Sequence, residues 1–240
     1  MSKLDEMVPA PRKIMTLFYL IDTSESMQGA KIGTVNSAMK ECQSLLSEIA
    51  EDDDAEMRVA VMQFSSGCSW ITSETEPELL SEWVWKDLIA NGITDLGAAL
   101  KELDSKLSRN AFLHSQTGAY APVILLFSDG GPTDNWEKGL ELLRKNNWYQ
   151  HAIKIAIDID SGSDRNVLAE FTGTSEAILE ANDRETLKNI IHKVSVRASE
   201  FQSHCKMVTP DEETTPTEDS INIVNAVKDE IEESNDNLET

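Results

Sequence analysis

Cysteine is scarce in this chain, and the three present, Cys42, Cys68 and Cys205, are odd in number, scattered and without metal-ligand spacing. That sets aside a disulfide-stapled secreted fold and makes a reducing cytoplasm the expected location. Long apolar runs are missing as well. None approaches the ~20 residues of a membrane span, and the opening MSKLDEMVPAPRK lacks the apolar segment of a signal peptide. Positive charge is short: 21 Lys and Arg face 43 Asp and Glu, a net charge of -22. Nucleic acid and anionic membrane would both be repelled, which excludes them as partners. There is no Gly-x-Ser-x-Gly elbow, no phosphate-cradling glycine loop ending in Lys-Ser/Thr, and no Cys/His zinc spacing.

What is present is concentrated in Met15 to Met27, MTLFYLIDTSESM. Met15 to Ile21 is an almost unbroken apolar, β-favouring run, the pattern of a strand buried on both faces of a parallel sheet. Asp22-Thr23-Ser24-Glu25-Ser26 then places a carboxylate and two hydroxyls at alternate positions where that strand leaves the sheet. In open parallel sheets that carboxyl end borders the crevice in which ligands bind. Carboxylate and hydroxyl oxygens suit a hard divalent cation, which also keeps waters or a partner's oxygen. The loop cannot hold an ion alone, so other strand ends must supply the remaining oxygens.

The rest of the 240 residues alternates strand and helix patterns. Steps of three and four predict a helix over Ala30 to Ala50, and Met57 to Phe64 reads as a strand. Cys68 to Thr72 reads as an antiparallel edge strand, while Ser73 to Ala90 is irregular. A helix is expected from Leu96 to Leu107, with Thr94 or Asp95 at its start. Ala121 to Phe127, the most apolar stretch, is a strand, and Ser128-Asp129-Gly130-Gly131-Pro132-Thr133-Asp134 puts polar residues at its carboxyl end. Trp136 to Trp148 is predicted helical, Ile153 to Ile159 a strand, Arg165 to Phe171 a helix, Ala177 to Leu179 a strand and Arg184 to Phe201 a closing helix. The expected fold is α/β: a doubly wound, mostly parallel sheet flanked by helices.

DTSES after the first strand, Gly92-x-Thr94 before the helix from Leu96, and SDGGPTD after the strand ending at Phe127 together resemble the metal-ion-dependent adhesion site of von Willebrand factor A domains. Within that superfamily, LIDTSESMQG, TDLGAAL and LLFSDGGPTDNW are most similar to the bacterial tellurite-resistance TerY group. The resemblance covers roughly Met15 to Phe201. It implies that Ser24, Ser26 and Thr94 are hydroxyl ligands of Mg²⁺ or Mn²⁺, with Asp22 and Asp129 acting directly or through bound water. It also implies a cytoplasmic protein-interaction module, not an enzyme, in a bacterial stress or tellurite-resistance system. The implied partners are a Ser/Thr kinase and a PP2C-type phosphatase, with a partner's acidic side chain completing the metal shell.

Other readings stand beside it. Ser24 and Ser26 could simply cap the following helix, and Asp22-x-Ser24 could belong to a metal-dependent phosphohydrolase, although such enzymes place a second Asp where this chain has Ser24. Glu25 stands where the family usually has Gly and Asp95 where it has Ser, so both add negative charge near the ion. Residues 1–13 are read as an N-terminal extension, 14–203 as the domain and 204–240 as an acidic tail. From Val208 onward, eleven acidic residues face one lysine, a composition that predicts disorder. Within that tail Ile221, Val224, Val227 and Ile231 fall at helical spacing, a short amphipathic helix that needs a partner to fold.

Overall fold

The computed structural model describes residues 12–52, 55–129, 131–159, 164–204 and 215–236. Strand β1 (Ile14–Asp22) is buried along all nine residues, as its unbroken apolar run requires of a central strand. It pairs in parallel with β2 (Glu56–Ser65) on one side and β5 (Val123–Ser128) on the other. Beyond β5 the parallel sheet continues through β6 (Ile153–Ile159) to β7 (Ile178–Ala181). Beyond β2 lie two antiparallel pieces, β3 (Gly67–Trp70) and β4 (Glu78–Leu79). The result is a seven-stranded, mostly parallel sheet of order β3-β2-β1-β5-β6-β7, with β4 also on β2.

Strand alternation sorts the core into two layers. Met15, Leu17, Tyr19 and Ile21 point to one face; Phe18 and Leu20 point to the other. The first face is covered by α1 (Ala30–Asp52), α6 (Arg184–His204) and α7 (Pro216–Asp236), the second by α2 (Leu96–Lys106), α3 (Trp136–Leu143), α4 (Asn147–Gln150) and α5 (Arg165–Thr172). The doubly wound α/β architecture expected from the sequence is therefore the one observed. No helix among the described residues is long and apolar enough to cross a membrane.

Three details differ from the sequence expectations. The helix expected from Trp136 to Trp148 is two helices, because Asn146 leaves the helical path. Its side-chain oxygen accepts from Trp148 N at 2.9 Å, and its amide donates to Asp104 and to Leu107 O. In the segment read as irregular, Leu80, Trp83, Trp85 and Leu88 are each buried without a repeating spacing, and β4 is too short to show a period. The amphipathic stretch expected within the acidic tail is a helix of 21 residues, α7. Its partner is this chain itself: Val224 and Val227 are fully buried in the first core layer. Residues 205–214 and 237–240 of that expected tail lie outside the described residues, as does the N-terminal extension except for Arg12 and Lys13.

One buried cation has a consequence that can be measured. Lys154 on β6 is 6% exposed and donates to Tyr149 O and Ala152 O, both at 3.1 Å. Burial pulls its ammonium down from 10.5 to about 8. Between those two values the unfolded chain holds a proton that the folded chain has shed, so this group's contribution to stability rises with pH through that window and is at its least favourable below it. The stability of the wild type relative to Lys154→Met should therefore increase between pH 8 and pH 10.5. Denaturant midpoints that keep a constant gap across the window would show that burial does not perturb this lysine.

Candidate metal centre

The polar loops gather at the carboxyl edge of the two central strands. Asp22 is the last residue of β1, Ser128 the last of β5, and Ile21 and Phe127 are register partners just before them. That register brings the next two side chains together: Ser128 Oγ donates to Asp22 Oδ2 at 2.7 Å. The other oxygen, Oδ1, accepts from Ser24 N at 2.8 Å, which bends the chain over the strand end. Ser24 Oγ lies 3.0 Å from Ser26 Oγ, and Ser26 Oγ donates to Asp129 Oδ1 at 2.7 Å. Asp22, Ser24, Ser26 and Asp129 thus form one hydrogen-bonded chain across two strand ends.

Ser24 does not cap the turn that follows it: the 3₁₀ turn at Glu25–Met27 receives no side-chain capping bond from it. Asp22 is fully buried, Ser24 is 2% exposed and Asp129 is 4% exposed. Burial pushes the Asp22 carboxyl above its usual range; hydrogen bonds from Ser24 and Ser128 pull it down and nearby Asp129 pushes it up again. Two carboxylates have therefore been taken out of water side by side, an arrangement that favours any cation placed between them.

Thr94 reaches the same edge by its backbone. Asn91 N donates to Thr23 O at 2.7 Å and Glu25 N to Gly92 O at 2.9 Å, so residues 91–94 run alongside the DTSES loop. Gly92 is needed there: its φ is +79°, and a Cβ would stand 2.5 Å from Ser66 Oγ. Thr94 itself is 6% exposed and is held from a third loop, its N–H donating to Thr133 Oγ1 at 3.1 Å while Thr133 N donates to Thr94 O at 2.9 Å.

The two acids that depart from the family pattern separate in the structure. Asp95 Oδ2 accepts from Gly67 N at 2.8 Å, so that carboxylate clamps the turn between β2 and β3. Glu25 is exposed beside the site. Sequence reasoning missed three contributors. Ser128 holds Asp22, Lys31 Nζ lies 2.5 Å from Asp129 Oδ2, and Asp134 caps α2 from another loop, accepting from Gly97 N at 3.0 Å and Ala98 N at 3.1 Å. For Ser128 a signal was available, since it follows Phe127 in the strand that pairs with β1. Trp136 packs against the second core layer.

Among the described residues no group of three or more His, Cys, Asp or Glu is placed to hold a metal. The donor set is instead two carboxylates with interleaved hydroxyls, and it fits a hard cation that accepts mixed oxygen ligands. An ammonium already resting on Asp129 is a stand-in showing that the position attracts positive charge.

Comparison with known proteins bears on the fold that carries this edge. A family model, the von Willebrand factor type A domain, matches residues 17–193. No curated protein matches the chain. Similar solved structures include a von Willebrand factor type A protein from Catenulispora acidiphila, at 15% identity and a TM-score of 0.55, covering 79% of this chain and 43% of that one. The ArnB paralog VWA2 from Sulfolobus acidocaldarius is 18% identical, with a TM-score of 0.53 and coverage of 77% and 46%. Proximal thread matrix protein 1 from the mussel byssus, in a structure with a zinc-occupied MIDAS motif, is 16% identical, with a TM-score of 0.53 and coverage of 78% and 46%. At these identities the likeness is one of fold, and the chain spans less than half the length of each of the three.

Proposed function

Because the chain belongs to the von Willebrand factor type A domain family, a metal-dependent protein-interaction fold, we propose that it is a divalent-cation-dependent binding module and not an enzyme. The observation that carries this reading is the chain of contacts from Asp22 through Ser24 and Ser26 to Asp129 at the carboxyl edge of β1 and β5. Asp22, Ser24, Ser26, Thr94 and Asp129 would hold the ion, Mg²⁺ or Mn²⁺. Bound there, such an ion would offset the charge of the two buried carboxylates and could take an oxygen ligand from a partner. The protein's own part is to orient these groups: Ser128 fixes Asp22, and the Thr133 hydroxyl and amide fix Thr94.

The finer reading is a cytoplasmic adaptor of a bacterial stress or tellurite-resistance system, working with a Ser/Thr kinase and a PP2C-type phosphatase. Its support is the resemblance of LIDTSESMQG, TDLGAAL and LLFSDGGPTDNW to the TerY group, together with the free thiols of Cys42 and Cys68, which suit a reducing compartment.

Calorimetric titration with MnCl₂ and MgCl₂ tests the site. Either ion should bind the wild type with a stoichiometry near one and raise its melting temperature by mass action. Asp22→Ala should remove both effects, and a variant that binds with unchanged affinity would mean the site is elsewhere. Phosphatase turnover that disappears in Asp22→Asn would replace the binding module with a hydrolase. Recovery of a kinase or phosphatase in Mg²⁺ but not in EDTA is the expected outcome of affinity capture.

A further inference from the structure

Lys31 stands in the first turn of α1, with its Nζ 2.5 Å from Asp129 Oδ2. The position is unfavourable for a cation by local rules, since the start of a helix carries partial positive charge and prefers acidic side chains. In a chain with 43 acidic residues and 21 basic ones, a lysine there needs another reason. Asp129 supplies it. The Asp129 side chain is wholly buried, its Oδ1 already accepts from Ser26 Oγ, and the Lys31 side chain, 25% exposed, closes over Oδ2.

Resting on the metal reading above, we propose that Lys31 is a tethered counter-ion of the centre, seated on Asp129 in the absence of a divalent ion and competing with that ion for the same carboxylate. Without Lys31, the neighbouring buried carboxylates of Asp22 and Asp129 would have no ion-pair partner among the described residues, and the metal-free loops would repel. With Lys31 in place, the free protein keeps its loops assembled, but an arriving divalent ion meets a positive charge within a few ångströms in a partly desolvated setting. Coulomb repulsion at that range, even well screened, changes an equilibrium constant by an order of magnitude or more. Lys31 therefore exchanges cation affinity for stability of the metal-free state. The centre is tuned to respond to changes in cation concentration instead of remaining saturated.

The test uses the full chain with Mn²⁺ as the probe, comparing wild type, Lys31→Met and Lys31→Arg. Lys31→Met keeps the length of the side chain and removes its charge; it should bind Mn²⁺ at least about tenfold more tightly. In EDTA it should melt below the wild type, and saturating Mn²⁺ should shift its melting temperature by more than it shifts the wild type's. Lys31→Arg should stay within about threefold of the wild type, because the charge is retained. If Lys31→Met does not fold in EDTA, rescue of its folding by Mn²⁺ supports the exchange of one cation for the other, and failure of rescue overturns it. Equal or weaker Mn²⁺ binding by Lys31→Met, or an arginine variant that behaves like the methionine one, would reduce Lys31 to a structural brace. Absence of Mn²⁺ binding by the wild type would instead remove the metal reading itself, and this inference with it.

Discussion

Val224→Asp should lower the melting temperature of the chain by about 8–20 °C. The residue lies on α7, is fully buried, and joins a core cluster that includes Ile153 and Ile155 of β6 and Ile190 and Val194 of α6. An aspartate there must bury a carboxylate among aliphatic side chains or undock the helix, and either route costs on the order of 4–5 kcal/mol. For a domain of this size each kcal/mol moves the midpoint by about 2–4 °C. Helix α7 also carries the Ser220 hydroxyl, which accepts from Lys154 N on β6 at 3.1 Å, so undocking would leave a strand amide without its partner. Asn225→Asp, one residue on and exposed, is the control and should move the midpoint by no more than ~2 °C. Thermal melts of the two variants decide the matter: equal midpoints would show that α7 adds nothing to the folded state.

Helix α7 also shows what the sequence could and could not reveal. Its apolar spacing was visible, but a dense run of acids argued for disorder, and composition alone does not say on which side the acids fall. In the folded chain Glu218 and Asp229 are exposed and Val224 and Val227 turn inward, although Asp219 is buried beside Ser220. Strands β1, β5 and β6 were legible because burial on both faces leaves an unbroken apolar run, and the DTSES and SDGG loops because polar residues follow those runs abruptly. The contacts that finish the site were not legible. Lys31 and Asp129 are 98 residues apart, Ser128 and Asp22 are 106 apart, and Asp134 reaches α2 across 37 residues. Local periodicity carries no trace of such pairings, which exist only once the strand order is known. The split between α3 and α4 was hidden for a related reason: Asn146 breaks the helix by bonding to Asp104 and Leu107 at the C-terminal end of α2.

The same long-range packing makes Gly97→Ala a sharp test of how the fold positions Thr94. In an ordinary helix this exchange is favourable by about 1 kcal/mol. Here the sign should reverse. A Cβ on Gly97 would stand 2.7 Å from Asp134 Oδ2 and 2.9 Å from both Asn135 O and Trp136 Cα, and two of those three atoms are backbone that cannot swing aside. Opposite it, a Cβ on Gly139 of α3 would stand 2.8 Å from Gly97 O, so the two helices meet backbone to backbone. Relief requires that α3 and the loop ahead of it move away from α2, at a cost of roughly 1–3 kcal/mol. That loop is the one whose Asp134 caps Gly97 and Ala98 and whose Thr133 holds Thr94. The expected result is a melting temperature lower by about 2–12 °C together with Mn²⁺ affinity reduced by about tenfold, since a displacement of under 1 Å is enough to misplace a ligand. Gly33→Ala in α1, where no atom lies within 4 Å of the added carbon, should instead be neutral or stabilising by up to about 1 kcal/mol. If Gly97→Ala loses stability while Mn²⁺ binds as tightly as before, the two effects are uncoupled and Thr94 is not among the groups that hold the ion.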